Sequence, residues 1–182
     1  MTIFKKLPDD ILNYLNDFID IKSKIILFYS KTNNQELIKV CYIKRITKNY
    51  KYLTDKILQQ NIFDQLVEIN ADYNYQINNL NRFSQTLKIV SISDICGVND
   101  NGIKDCLKLT NIYASNNRKI KDLNKFYQTL KIIDISMNCG VDDNGIRFSQ
   151  TLLIIYISGD CGVDDNGIKD CFKLIEINAY NF

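Results

Sequence analysis

The sequence contains no histidine and no tryptophan, and Pro8 is its single proline. Without histidine the chain lacks the commonest general acid–base group and the base of Ser–His and Cys–His catalytic pairs. None of the six cysteines stands in a CxxC pair, so a zinc site is not expected either. The composition therefore argues against an enzyme, and we expect no cofactor and no bound metal.

Long apolar runs are also missing. No stretch approaches the roughly 20 residues that a membrane span requires, and the N-terminus lacks the charged-then-apolar pattern of a secretory signal. Residues 1–60 carry a formal net charge of +5, and residues 61–182 carry a formal net charge of −3. Neither value requires a nucleic acid or a membrane as partner. We expect a soluble, cytoplasmic protein.

The second half of the chain repeats itself every 21 or 22 residues. Each copy opens with a leucine, which we call the repeat leucine, and later positions are counted from it. An apolar residue follows at +3, and a small or apolar residue at +5. The repeat leucines are Leu66, Leu87, Leu109, Leu130, Leu152 and Leu174.

This spacing resembles the LxxLxL frame of leucine-rich repeats. Alternate residues of a strand point to opposite faces, so +3 and +5 enter the core together. Each repeat should lay one strand beside the last and build a parallel sheet on the concave face of a solenoid. Asn74, Asn117 and Asn138 hold +8, where a polar side chain can satisfy backbone groups freed by the turn. The fold class predicted is α/β, a leucine-rich-repeat solenoid over residues 61–182.

Two repeat types share the array. One carries Cys-Gly-Val-Asp-Asp-Asn-Gly-Ile, as at 139–146 and 161–168, and its Asn-Gly pair indicates a tight turn. The paired aspartates fit turn chemistry better than calcium binding, since the oxygen ligands and closing glutamate of an EF-hand are absent. The cysteines follow the repeat phase, which favours buried fillers over disulfide partners. Two units of this type run together near residue 147, where a unit of the other type is missing.

The N-terminal segment 1–50 shows a different pattern. Pro8 and the aspartates after it suit the start of a helix, and two further short helices should follow, the last of them reaching Ile43. The basic run from Lys39 to Lys51, interleaved with tyrosines, fits the solvated face of a helix better than a nucleic-acid surface. A linking helix should occupy 51–60.

The opening residues resemble an F-box. The residues that carry this likeness are apolar and helically spaced: Leu7, Pro8, Ile11, Leu12, Leu15 and Phe18. In that family they form the surface held by the Skp-type adaptor subunit of a cullin–RING ubiquitin ligase. The tryptophan often found late in an F-box is missing here. The alternative is a plain helical cap on the first repeat.

The cysteine-bearing phrase is similar to the cysteine-containing subclass of leucine-rich repeats, with the cysteine moved one place to Cys139. The chain as a whole resembles the F-box/leucine-rich-repeat paralogues of giant amoeba-infecting viruses, which implies a viral origin and the host cell cytoplasm. The resemblance implies a substrate receptor that captures a protein for ubiquitination. The alternative is a leucine-rich-repeat interaction scaffold with no ligase link.

The residues that should contact a protein partner lie at +2, +4 and +6, between the inward positions. An aliphatic pair flanked by tyrosines has the composition of a protein-binding hot spot. The alternative to a hot spot is that these isoleucines are tolerated on an open sheet because of their β-propensity alone. The concave-face residues predicted to bind are Ile89, Tyr113, Ile132, Asp134, Ile154 and Tyr156.

Overall fold

The computed structural model describes Ser23, residues 42–146 and residues 150–180, with the side chain of Tyr180 left aside. The fold there is α/β, with a seven-stranded sheet in which every pair of neighbours is parallel. The F-box-like residues lie outside the described part of the chain. None of the described helices is long and apolar enough to cross a membrane.

The strands follow one another across the sheet in chain order, so each repeat adds one strand beside the last. The strands are β1 (Arg45–Ile46), β2 (Glu68–Asn70), β3 (Ile89–Ser91), β4 (Asn111–Tyr113), β5 (Ile132–Asp134), β6 (Ile154–Ser158) and β7 (Glu176–Tyr180). The register joins equivalent repeat positions: Ile69 pairs with Val90, which pairs with Ile112. A parallel sheet in this order is compatible with a solenoid-like stack.

The sheet begins earlier than the sequence predicted. β1 lies ahead of residue 61 and pairs with β2, so part of the segment assigned to the helical module belongs to the repeat sheet. Ile43 is buried but not helical, and Arg45 lies in a strand. The helix face predicted for the basic run from Lys39 to Lys51 was therefore wrong over its described part, from residue 42 onward. The backbone contributes to the ladder instead, since the amides of Val67 and Glu68 both donate to the Lys44 carbonyl.

The core follows the leucine frame. The repeat leucines from Leu66 to Leu152, and the +3 residues from Ile69 to Ile155, are at most 1% exposed. The last repeat departs from this rule, because no further strand covers it among the described residues. At +3, Ile177 is 50% exposed, whereas the +3 residues of the preceding repeats are buried. Burial is thus lost at the β7 edge, where no further described strand covers the repeat, as expected of a stack.

A left-handed residue recurs at +7 in five successive repeats. The residues are Tyr73, Asp94, Asn116, Met137 and Gly159, with φ between 54° and 64°. The left-handed turn lets the backbone amides at +7 continue the ladder of hydrogen bonds between strands. Each donates to the +6 carbonyl of the next repeat, as seen for Tyr73, Asp94, Asn116 and Met137. The sequence shows no consensus there, because stacking of successive backbones imposes the conformation on whichever residue is present.

Buried asparagines satisfy the backbone after the turn in one repeat type. The Asn117 side-chain amide donates to the Ile92 carbonyl at 2.6 Å and the Val98 carbonyl at 3.3 Å. Its oxygen accepts from the Lys119 amide at 3.0 Å. Asn74 does the same toward the preceding repeat. In two of the repeats that carry the Cys-Gly-Val phrase, a cysteine at +9 lies in the interior instead of the residue at +8.

Asn138 was expected to belong to this ladder, and that expectation was wrong. It is only partly buried, whereas Cys139 beside it is 7% exposed. Likewise Ile95 is 66% exposed and Cys96 fully buried. A thiol is small enough for this gap and brings fewer obligatory hydrogen bonds than an amide. The cysteine, which stands one place later here than in the cysteine-containing subclass of repeats, is therefore the buried residue.

Four one-turn helices follow some of the strands: α1 (Asp55–Leu58), α2 (Asp100–Ile103), α3 (Asp143–Ile146) and α4 (Asp165–Ile168). α1 lies within the predicted linking helix. Three further 3₁₀ turns span Asn61–Phe63, Asn81–Phe83 and Asn124–Phe126, and each buries its phenylalanine. The Asn-Gly pairs lie inside α2, α3 and α4, so the tight turn predicted there was wrong.

Glycine is needed in these helices for close approach rather than for an unusual φ. A methyl group at Gly145 would lie 2.1 Å from the Lys121 carbonyl oxygen, and one at Gly102 would lie 2.2 Å from that of Asn78. The helix of each such repeat therefore rests directly on the backbone of the repeat before it. A side chain at either position would push the two repeats apart.

The aspartates of the repeated phrase hold backbone amides, in agreement with the turn chemistry predicted. Asp142 Oδ1 accepts from the amides of Asn144 at 2.9 Å and Gly145 at 3.0 Å, which caps α3. Asp143 Oδ1 accepts from the Asp164 amide of the next repeat at 2.8 Å. The first carboxylate thus fixes its own helix, and the second joins two repeats.

We predict that Gly145→Ala destabilises the protein by about 1–3 kcal/mol, the usual cost of overpacking. The direction of the change in stability is informative, because Gly→Ala inside a helix normally stabilises a protein by about 1 kcal/mol. Urea unfolding followed by circular dichroism measures the change. Gly162→Ala is the milder comparison and should cost less, since its methyl group would meet the nearest atom at 3.1 Å rather than 2.1 Å. A higher urea midpoint for Gly145→Ala than for the wild type would contradict the close approach.

Candidate functional site on the open face of the sheet

One face of the sheet packs on the core and the other remains open. Strands β2 to β5 alternate between a buried central residue and partly exposed neighbours. We call the side bearing +2, +4 and +6 the open face. The register aligns its side chains in rows that cross the strands. The +2 row reads Glu68, Ile89, Asn111, Ile132, Ile154 and Glu176; the +4 row reads Asn70, Ser91, Tyr113, Asp134, Tyr156 and Asn178.

The predicted aliphatic pair is confirmed as a pair of neighbours. Ile132 and Ile154 are register partners on β5 and β6, and both are partly exposed. Directly opposed residues on adjacent strands lie close enough for their side chains to touch. Ile89 is separated from them by Asn111 on β4. The apolar patch is thus two residues wide, with Ile89 beyond its edge.

The predicted polar residues of the open face also come together. Tyr113 and Tyr156 are the register partners of Asp134 on either side. Asp134 Oδ1 accepts a hydrogen bond from the Ser136 amide at 3.0 Å. The Asn111 side chain is 3.5 Å from the Tyr113 hydroxyl. All five predicted residues on β4 to β6 therefore form one patch beside Asn111.

The carboxylates near β1 and β2 already have partners within the fold. Arg45 Nε lies 3.6 Å from Glu68 Oε2. Asp72 accepts from the Ser91 hydroxyl at 2.7 and 2.9 Å and from the Ser93 amide at 2.7 Å. Sequence reasoning missed this network, because Asp72 occupies the +6 place that serine holds in the next four repeats. These contacts fix the first strands rather than offer a binding site.

A second concave region lies beyond the carboxyl ends of the first strands. It is a pocket of about 420 Å³ lined by Asn49, Lys51, Tyr73, Asn74, Tyr75, Gln76 and Ile95. Tyr73, Tyr75 and Ile95 are each more than half exposed. A hydrogen bond to the Asp94 carboxylate raises the pKa of Tyr73. The two residues hold the left-handed +7 position in successive repeats. The exposed tyrosines of this pocket fell outside the leucine frame and were not predicted.

Four of the five described cysteines, Cys96, Cys106, Cys139 and Cys171, are buried, as the repeat phase predicted, whereas Cys161 is partly exposed. Loss of hydration raises the pKa of Cys96 and Cys139 to about 11 and that of Cys106 to about 12. The Cys106 thiol donates to the Leu80 carbonyl at 3.3 Å. Because the thiolate is the reactive form, these thiols are poor nucleophiles at neutral pH. Their role in the described fold is packing.

Within residues 42–146 and 150–180 no cluster of acidic or cysteine side chains is arranged to hold a metal ion. The paired aspartates use carboxylate oxygens to accept backbone amides, as described above. The structure brings together the open-face residues but leaves the F-box-like set, Leu7, Pro8, Ile11, Leu12, Leu15 and Phe18, outside the described residues. The open face is therefore the candidate functional site.

No protein-family model matches this chain, and no curated protein is significantly similar to it.

We expect Cys96, Cys106 and Cys139 to resist iodoacetamide at pH 8 in the folded protein and to react fully in 8 M urea. Burial and the raised pKa of each thiol give the reason. Mass spectrometry of the labelled peptides reports each site separately. Cys161, which is partly exposed, serves as the internal control and should react first. Equal labelling of all four thiols without urea would show that the stack does not protect them.

Proposed function

We propose that this chain is a protein-binding adaptor built from leucine-rich repeats, and that it acts as a substrate receptor of a cullin–RING (SCF-type) ubiquitin ligase. The observation that carries the binding role is the register of Ile132 with Ile154 beside Tyr113, Asp134 and Tyr156. The proposal assigns the chain no catalytic role and places it in the cytoplasm.

The open face supports binding for a physical reason. Tyrosines near the centre of an interface are among the side chains that contribute most to protein association, and Tyr113 and Tyr156 stand beside the aliphatic pair. They are held on strands tied by backbone hydrogen bonds on both sides, so little conformational entropy remains to be lost on binding. A rigid platform of this kind suits a protein surface better than a small molecule, which prefers a deep cavity.

The ligase link rests on the F-box resemblance of the N-terminal residues. The alternative is an interaction scaffold without that link, because the open face explains binding with no contribution from residues 1–41. The two differ in one partner, the Skp-type adaptor subunit. Binding of that subunit therefore decides between them.

We predict that the purified chain captures a Skp-type subunit and that Leu7→Ala with Pro8→Ala lowers capture at least tenfold. Removal of an apolar anchor from a helical docking surface commonly costs about 2 kcal/mol or more. Pull-down or surface plasmon resonance measures the loss. Ile132→Glu should bind the subunit normally, since it alters only the open face. If the wild type does not bind the subunit, the scaffold alternative replaces the ligase role.

We predict that Ile132→Glu combined with Ile154→Glu abolishes capture of the protein partner, because two charges would be buried in the interface without compensation. Quantitative mass spectrometry of proteins captured by wild type and variant identifies the partner by its loss. Leu107→Glu is the matched control, since Leu107 is 55% exposed and lies outside the strands. A partner retained by the double variant would remove the open face from the proposal.

A further inference from the structure

The centre of the open face holds a carboxylate between two tyrosines. Asp134 on β5 has Tyr113 on β4 and Tyr156 on β6 as register partners. Neighbouring strands lie about 4.8 Å apart, so the two tyrosine backbones stand roughly 10 Å from each other with Asp134 midway. We call these three residues the cation slot.

Asp134 is the single charged residue at +2, +4 or +6 on β3 to β6. Its described hydrogen bond, from the Ser136 amide to Oδ1, leaves Oδ2 and a second lone pair for another donor. The two salt bridges of the described residues join Arg45 to Glu68 and Arg82 to Asp64, so neither uses this carboxylate. Asp134 is only partly buried and remains reachable from the open face.

A carboxylate flanked by aromatic rings is suited to a cation. The ring faces attract a positive charge through their quadrupole, and the carboxylate adds a charge-assisted hydrogen bond. Guanidinium fits better than ammonium, since it is planar, stacks on rings and presents several donors in one plane. We propose that the cation slot binds an arginine side chain of the partner protein. This inference rests on the proposed binding function of the same face.

The surroundings narrow the partner further. Ile132 and Ile154 border the slot on the +2 side, so apolar residues next to the arginine would contact them. Glu176, at the β7 end of the +2 row, disfavours an acidic segment, whereas Glu68 at the other end is paired with Arg45. The partner segment is therefore an arginine flanked by apolar side chains.

The test uses two peptides, acetyl-Leu-Arg-Leu amide and the same peptide with citrulline, which keeps the shape and removes the charge. Each is titrated into the ¹⁵N-labelled full chain while amide shifts are followed by NMR. We expect saturable shifts around Tyr113, Asp134 and Tyr156, with the arginine peptide binding about fivefold more tightly, as for an exposed charge pair with a ring contact. The preference should shrink at high salt.

Asp134→Asn keeps the shape of the side chain and an oxygen to accept the Ser136 amide, and it should erase the preference for arginine. Asp105→Asn, an exposed aspartate outside the strands, is the matched control and should bind like the wild type. Equal binding of the two peptides, no binding of either, or a full preference retained by Asp134→Asn would overturn the slot. In each of those cases the chain could still capture a protein partner that the Ile132→Glu, Ile154→Glu double variant loses. The cation slot can therefore fail while the proposed function stands.

Discussion

The parallel backbone ladder between successive repeats is the constraint on which the rest of this structure depends. The amides of Ile92, Ala114 and Ile135 each donate to the +4 carbonyl of the following strand, so one register is copied from repeat to repeat. That register sends the repeat leucines from Leu66 to Leu152 into a shared interior and aligns the +2 and +4 side chains in rows. A slip of one residue would exchange the two faces. The core and the candidate site therefore have a common origin.

Polar side chains keep neighbouring repeats at the distance the ladder needs. Asn117 satisfies carbonyls of the preceding repeat, and Asp143 accepts an amide of the next. Glycines such as Gly145 let helix and backbone meet without an intervening side chain. These contacts join one repeat to the next, so each repeat depends chiefly on its two neighbours. The exposure of Ile177, at +3 of the last described repeat, shows the consequence of having one neighbour only.

The leucine spacing was enough to predict strands β2 to β7, the buried +3 residues from Ile69 to Ile155 and the neighbours on the open face, because a period of 21 or 22 residues maps directly onto strand order. Other features had no sequence signal. The left-handed +7 position is held by residues as different as Met137 and Gly159, since stacking selects a backbone conformation and not a side chain. The Asn-Gly pairs suggested turns, but the glycine serves an inter-repeat contact that is invisible in one repeat. β1 was missed because Ile43 takes the place of the repeat leucine there and lies more than 22 residues before Leu66, so the repeat falls outside the period.

The most direct test of this account is the detection of scalar couplings across the backbone hydrogen bonds by NMR. The account predicts couplings from the amide nitrogens of Ile92, Ala114 and Ile135 to the carbonyl carbons of Tyr113, Asp134 and Tyr156, respectively. The same amides should exchange slowly with solvent. Couplings to other carbonyls, or rapid exchange at all three amides, would contradict the in-register stack and the rows of the open face that depend on it.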